Sequence, residues 1–174
     1  MTGQVFLARP SLEYHEEYMA FYQEWKQSGE PIVPWIVDKD PSDFPAYLRY
    51  LEEEDKGENL KPGWVANSTY WLVNEQGKIA GAVNIRHELS ERLLHTGGHI
   101  GYGVVPSQRR KGYATAILDQ SLQLSRELGL KRVLVVCDEG NIGSEKTIVK
   151  NGGVFESAFT EEDGNVVRRF WIEL

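Results

Sequence analysis

Apolar and polar positions alternate along the chain in two periods, one close to 3.6 residues and one of two. Residues 4–8 read as a short strand closed by Arg9-Pro10. Ser11 is placed to cap a helix that carries Tyr14, Tyr18, Phe21, Tyr22 and Trp25 on one face, an aromatic stripe suited to a core. Gly29-Glu30-Pro31 breaks that helix, and Pro34-Trp35-Ile36 follows as an irregular segment. A second helix begins near Ser42 or Asp43 with Phe44, Tyr47, Leu48 and Leu51 at 3/4 spacing, and ends in an acidic run, Glu52 to Asp55, read as a solvated face, with a docking surface for a cationic acceptor as the alternative. After a loop over residues 60–67 come two strands, 68–73 and 78–87, joined by the hairpin signal Asn74-Glu75-Gln76-Gly77. In the second strand Ile79, Gly81, Val83 and Ile85 share one face, and Ala80, Ala82, Asn84 and Arg86 the other.

A connector over residues 88–98, with one helical turn at 91–95, leads to a strand over 99–105. Pro106 cannot donate to a sheet ladder and ends that strand. Ala114, Ile117, Leu118, Ser121, Leu122 and Ser125 then recur at helical spacing until Gly129. The run 131–137 is continuously apolar, as a strand buried on both faces would be. Asn141 can cap a short helix reaching about Lys150, and residues 154–160 and 166–174 form a last hairpin. The order is β-α-α-β-β-β-α-β-α-β-β, an α/β (α+β) arrangement of a mixed sheet and packed helices in one domain covering residues 1–174. No internal repeat, linker or low-complexity segment interrupts it.

The junction between the strand over 99–105 and the helix after it carries the candidate chemistry. Between them stand Arg109, Arg110, Lys111 and Gly112, followed by Tyr113, Ala114 and Thr115. A glycine at a helix start lets an anion approach the free backbone N–H groups, and the helix dipole favours negative charge there. The order Lys111-Gly112-Tyr113 fails the P-loop pattern, and a single glycine fails the dinucleotide fingerprint. What remains is a phosphate or pyrophosphate site of another kind.

Composition narrows the partners. A net charge of -7 argues against nucleic acid and makes a cationic substrate the easier guess. Cys137 is the lone cysteine, so no internal disulfide forms, and no Cys/His cluster has metal-ligand spacing. No apolar run reaches membrane-spanning length and the N-terminus lacks a signal pattern, which makes a cytoplasmic location the default and a membrane partner unexpected. Cys137 in its apolar strand reads as buried packing rather than as a nucleophile.

The order of elements, with this loop at its centre, resembles the GNAT N-acetyltransferase superfamily. The family's acetyl-coenzyme A signature, Arg/Gln-x-x-Gly-x-Gly/Ala, is matched by Arg109, Gly112 and Ala114, and its Val-x-Pro approach by Val104-Val105-Pro106. Gly97 to Val104, followed by Asn151-Gly152-Gly153, looks like a branch of predicted bacterial acetyltransferases. The resemblance implies a mostly antiparallel central sheet with helices on both faces, acetyl-coenzyme A as co-substrate, an amine acceptor and no metal. It also implies roles for residues. Backbone N–H groups from Arg109 through Arg110, Lys111, Gly112, Tyr113 and Ala114 to Thr115 would hold the pyrophosphate. Val104 and Val105 would pair with pantetheine and polarise the thioester carbonyl. Asn141 would face the pantetheine arm, cap its helix, or do both. Where the superfamily often carries a tyrosine that protonates the departing thiolate, this chain has Ile148.

The acceptor end is less marked. His99, on the same strand face as Gly101 and Gly103, is the candidate catalytic base, with the two glycines leaving room for substrate; a structural histidine at a sheet end is the alternative. Tyr102, on the opposite face, reads as core. Arg86, His87 and Glu88 are secondary candidates for acceptor binding. The expected activity is direct transfer of acetyl to a primary amine of a small molecule or peptide; the alternative is a non-catalytic acyl-coenzyme A sensor. The acceptor's identity depends on residues 29–43 and 59–67, where spacing carries no code, and a homodimer is compatible with the sequence.

Overall fold

A computed structural model describes residues 4–174. The strands are β1 (Phe6–Ala8), β2 (Asn67–Val73), β3 (Ile79–Arg86), β4 (Ile100–Val104), β5 (Arg132–Asp138), β6 (Val154–Thr160) and β7 (Val166–Glu173). The α-helices are α1 (His15–Ser28), α2 (Phe44–Lys56), α3 (Tyr113–Glu127) and α4 (Ile142–Lys150). They follow the order that the periodicity predicts. Three short 3-10 turns are added among the described residues: Leu12–Tyr14 ahead of α1, Trp35–Asp38, and Pro106–Gln108 directly after β4. The turn expected over 91–95 is a π-type turn at Leu93–Gly97.

The strands divide into two sheets, β1-β2-β3-β4 and β5-β7-β6, antiparallel at every pairing. Between them β4 and β5 start side by side. The His99 N–H donates to the Leu134 carbonyl at 2.7 Å, and the strands then separate into different sheets. Gly98 permits the approach: its φ is 66°, and a Cβ there would lie 2.6 Å from the Leu134 oxygen.

Helices cover both faces of the first sheet, so every residue of β2 and β3 is buried. On one face α3 lays Ile117, Leu118 and Leu122 against Leu72, Val83 and Ile85. Each such side chain contributes about 1.5–3 kcal/mol of burial. On the other face α1 and α2 bring Tyr18, Phe21, Trp25, Phe44 and Tyr47 against Trp71 and Ala82, so the aromatic stripe is core. Tyr18 stacks on Trp71 with ring centroids 4.2 Å apart and shares a 2.8 Å hydrogen bond with Tyr47. A register shift between Leu72 and Val73 exchanges the expected faces at one end of β3: Ile79 packs on the α1/α2 side and Ala80 on the α3 side.

The acidic run is not wholly a solvated face. Asp43 caps α2 through the Ala46 N–H, and that frame turns Glu54 inward, where it is buried and accepts a 2.6 Å hydrogen bond from Asn67. Asp55 accepts a hydrogen bond from Ser68. Successive side chains on a helix are about 100° apart, so four consecutive ones cannot all lie on the solvent face of α2.

Candidate active site

The divergence of β4 and β5 opens a cavity of about 530 Å³ at the start of α3. Tyr102, Gly103 and Val104 form its wall on β4, residues 108–110 and 112–115 its floor, and Asn141, Gly143, Ser144 and Thr147 its far side. Of the sequence candidates, Val104, Arg109, Arg110, Gly112, Tyr113, Ala114, Thr115 and Asn141 all meet there. Lys111 and Val105 do not.

The floor is an array of free donors. Arg110 and Gly112 both have positive φ, 63° and 82°, which turns successive N–H groups to one side. The N–H of Ala116 is the first in this helix to find a carbonyl, that of Gly112, at 3.1 Å. Those of Arg110 through Thr115 have no acceptor among the described residues. No acidic residue stands in the first turn of α3, so its dipole is uncompensated. The loop is held from outside: Ser107 donates twice to Glu24, and Tyr113 donates a 2.5 Å hydrogen bond to Glu75. That carboxylate pushes the Tyr113 phenol up to about 12. Lys111 is exposed, with its Nζ on Gln108. Arg109 folds back on the chain, its Nε donating to the Val104 carbonyl at 3.0 Å and its Nη1 2.7 Å from Glu30.

On the β4 wall, antiparallel alternation decides which backbone groups are free. The Arg86 N–H donates to the His99 carbonyl, and the Val105 N–H to Ala80 at 2.9 Å. By that alternation Gly101 and Gly103 also face β3, while Tyr102 and Val104 turn their N–H groups into the gap. Val105 therefore has no backbone donor for a ligand, and its side chain is buried under α1 and α2. Across the gap the Asn141 side chain caps α4, its Oδ1 accepting from the Ser144 N–H at 3.2 Å, and still lines the cavity with its amide nitrogen unspent.

His99 is buried, and its geometry is that of a clamp. Its Nδ1 accepts the Leu134 N–H at 2.9 Å, so the neutral ring carries its proton on Nε2 and has no free lone pair for a substrate proton. Burial, and then the Arg86 charge, lower its pKa to about 4. The two glycines beside it do not leave room either. The Arg86 guanidinium lies against Gly101, and Val33 and Trp25 fill the space over Gly103. The site residue that the sequence reading set aside is Tyr102. Its hydroxyl is buried in the cavity wall beside Ser144, with no well-formed hydrogen bond among the described residues, and burial raises the phenol to about 12 although Ser144 pulls the other way. Strand alternation puts it on the Val104 face, the one sequence signal that could have marked it. Ile148 is fully buried in the core and presents no group to the cavity.

Among the described residues no group of three or more His, Cys, Asp or Glu side chains is placed to hold a metal ion, and no helix is long and apolar enough to cross a membrane. Comparison with known proteins gives these features a family. Similar solved structures include the microcin C7 self-immunity acetyltransferase MccE in complex with acetyl-CoA and AMP, with 19% identity and a TM-score of 0.67 over 98% of this chain and 93% of that one. The dodecameric spermidine N-acetyltransferase from Vibrio cholerae shares 16% identity at a TM-score of 0.65, over 98% of this chain and 94% of that one. Curated proteins give no match. The family described as Acetyltransferase (GNAT) domain matches residues 4–154, which takes in the whole β4–α3 site. The chain belongs to the GNAT acetyltransferase family.

Proposed function

We propose that the chain transfers the acetyl group of acetyl-coenzyme A directly to a primary amine of a small molecule or peptide, acting as one domain in the cytoplasm. The observation that carries this reading is the row of free N–H groups from Arg110 to Thr115, opening on the same cavity as the inward-facing N–H of Val104. A pyrophosphate fits the first and a thioester carbonyl the second.

In this reading the coenzyme's diphosphate sits at the start of α3, and pantetheine runs along the gap, with the free Asn141 amide facing it. The Val104 N–H polarises the thioester carbonyl and holds the oxyanion that forms when the amine attacks. The acceptor loses one proton to water before attack. The C–N bond then forms, the C–S bond breaks, and the second nitrogen proton passes through solvent to the thiolate. Tyr102, kept protonated by its burial, donates a hydrogen bond to that thiolate, the task that Ile148 leaves undone on α4. His99 holds β4 to β5 and is a positioning residue rather than the base.

The test has two steps. Acetyl-coenzyme A should raise the melting temperature of the wild type and leave an Arg109→Glu/Gly112→Asp double variant unmoved. A thiol-release assay across small amines and peptides should then detect turnover. Absence of the thermal shift would sink the coenzyme site; binding without turnover on any amine would favour a sensor over an enzyme.

A further inference from the structure

A second cavity lies on the α1/α2 face of the first sheet, and it gathers positive charge that no carboxylate among the described residues pairs with. It encloses about 60 Å³ between Trp35, Trp64, Asn84, Arg86 and Arg92. Arg86 is 9% exposed, yet among the described residues its guanidinium makes one hydrogen bond, from Nη1 to the Gly97 carbonyl at 3.2 Å. No carboxylate lies within 4 Å of its guanidinium among the described residues. A buried guanidinium presents five donors and costs several kcal/mol to desolvate, so such a group is ordinarily paired. The buried carboxylate of this face, Glu54, is occupied by Asn67 instead.

Arg92 makes the imbalance larger. It is held over the Trp64 ring, 5.1 Å from the centroid, and its charge adds to burial in lowering the Arg86 pKa to about 10. Asn84, two residues before Arg86 on the same strand face, adds a complementary vacancy. Its amide nitrogen donates to Asn67 and Thr69, while its buried Oδ1 receives no hydrogen bond from the described residues. The cavity therefore lacks an anion for Arg86 and an N–H donor for Asn84. Its volume suits a carboxylate and is too small for a nucleotide.

We propose that this cavity is the acceptor's carboxylate subsite, with Arg86 as the pairing group, so that the enzyme acetylates amines that also carry a carboxylate: amino acids, or short peptides held by their C-terminal carboxylate. This rests on the acetyltransferase reading above. A planar carboxylate takes the guanidinium edge in two parallel hydrogen bonds, and Arg92 closes the site over the Trp64 face. Arg86 packs on Gly101, three residues and roughly 10 Å along β4 from Val104. Val33 and Trp25 cover Gly103 between them, so the acceptor passes over the exposed Val33 side chain, which also lines the first cavity, to reach the thioester. The acidic net charge of the whole chain misleads here, because the local field is positive.

The test compares free acids with their amides. In the thiol-release assay, a panel of the common amino acids and their glycine dipeptides should show kcat/KM at least 30-fold higher for the acid than for the amide of its best acceptor. That ratio should fall below threefold in Arg86→Gln, with acetyl-coenzyme A affinity unchanged. Arg92→Gln, at an exposed position, should lower it three- to tenfold, and decides the matter if Arg86→Gln does not fold. A binding arm needs no turnover: N-acetylated amino acids should raise the melting temperature in the presence of coenzyme A, and their amides should not. Equal responses to acid and amide, no response to either, or a ratio that survives both substitutions would overturn the subsite. Binding of acids without transfer would instead count against the acetyltransferase reading. Whether free amino acids or dipeptides give the larger ratio separates the two acceptor sources.

Discussion

His99 and Leu134 exchange two hydrogen bonds at the point where the two sheets part: backbone N–H to carbonyl at 2.7 Å, and the Leu134 N–H to the imidazole Nδ1 at 2.9 Å. Replacing His99 by alanine leaves a buried N–H without an acceptor and a void beside Trp171, which together should cost about 2–4 kcal/mol. Urea denaturation reads that loss. The pH profile of kcat/KM should keep its limbs in whatever activity remains, whereas loss of a true base would remove the acidic one.

The same histidine sets a pH dependence of stability. Its folded pKa, about 4, lies below the ordinary 6.5, so between those values the unfolded chain binds the extra proton. Its contribution is fully present above pH 6.5 and is lost as pH falls toward 4, at most about 3 kcal/mol. Denaturant midpoints at pH 4.5, 5.5 and 7 should rise in that order, and His99→Gln should flatten the slope.

Gly112→Asp places a carboxylate among the free N–H groups of the α3 start and forces a side chain onto a φ of 82°. No atom lies within 4 Å of the added Cβ, so the structural cost is backbone strain alone, about 1–2 kcal/mol. Calorimetry should find acetyl-coenzyme A binding weakened at least tenfold in a protein that still melts cooperatively.

Tyr102→Phe removes a buried hydroxyl that has no well-formed hydrogen bond among the described residues. Stability should stay the same or rise, because an unsatisfied polar group is lost with it. Turnover should drop about tenfold or more while the acetyl-coenzyme A KM moves little, the pattern of an interaction made only as the thiolate leaves. Steady-state kinetics with a thiol reagent separates the two parameters.

Gly103→Ala tests how full the acceptor face of β4 is. The added methyl would meet the Val33 carbonyl, and would lie 2.6 Å from the Val33 side chain and 2.8 Å from Trp25. Backbone cannot yield cheaply there, so a loss of about 1–3 kcal/mol is expected by thermal melting.

Local signals made the proposed coenzyme end, the junction of β4 and α3, readable. Pro106 stops a strand, Gly112 starts a helix, and the residues between them are adjacent in space because they are adjacent in sequence. The acceptor end depends on contacts between distant segments. Gly101 and Gly103 read as open space, yet Arg86 from β3 and Trp25 from α1 occupy it. His99 looked like a base until Leu134, 35 positions away, claimed its lone pair. Glu54 belonged to a charged run that suggested solvent, and only the packing of α2 on β2 shows it turned toward Asn67. Spacing reports which face a residue takes; it does not report what arrives to meet that face.

The parting of β4 from β5 has a consequence for solubility. Each sheet has an inner margin with unpaired backbone groups, a feature that in an exposed position invites strands of other molecules to add on. Here the two margins look at each other, under α3 and α4, rather than outward. The Val104 amide is thus out of reach of any partner as bulky as a folded strand and open only to a thin chain entering past the start of α3.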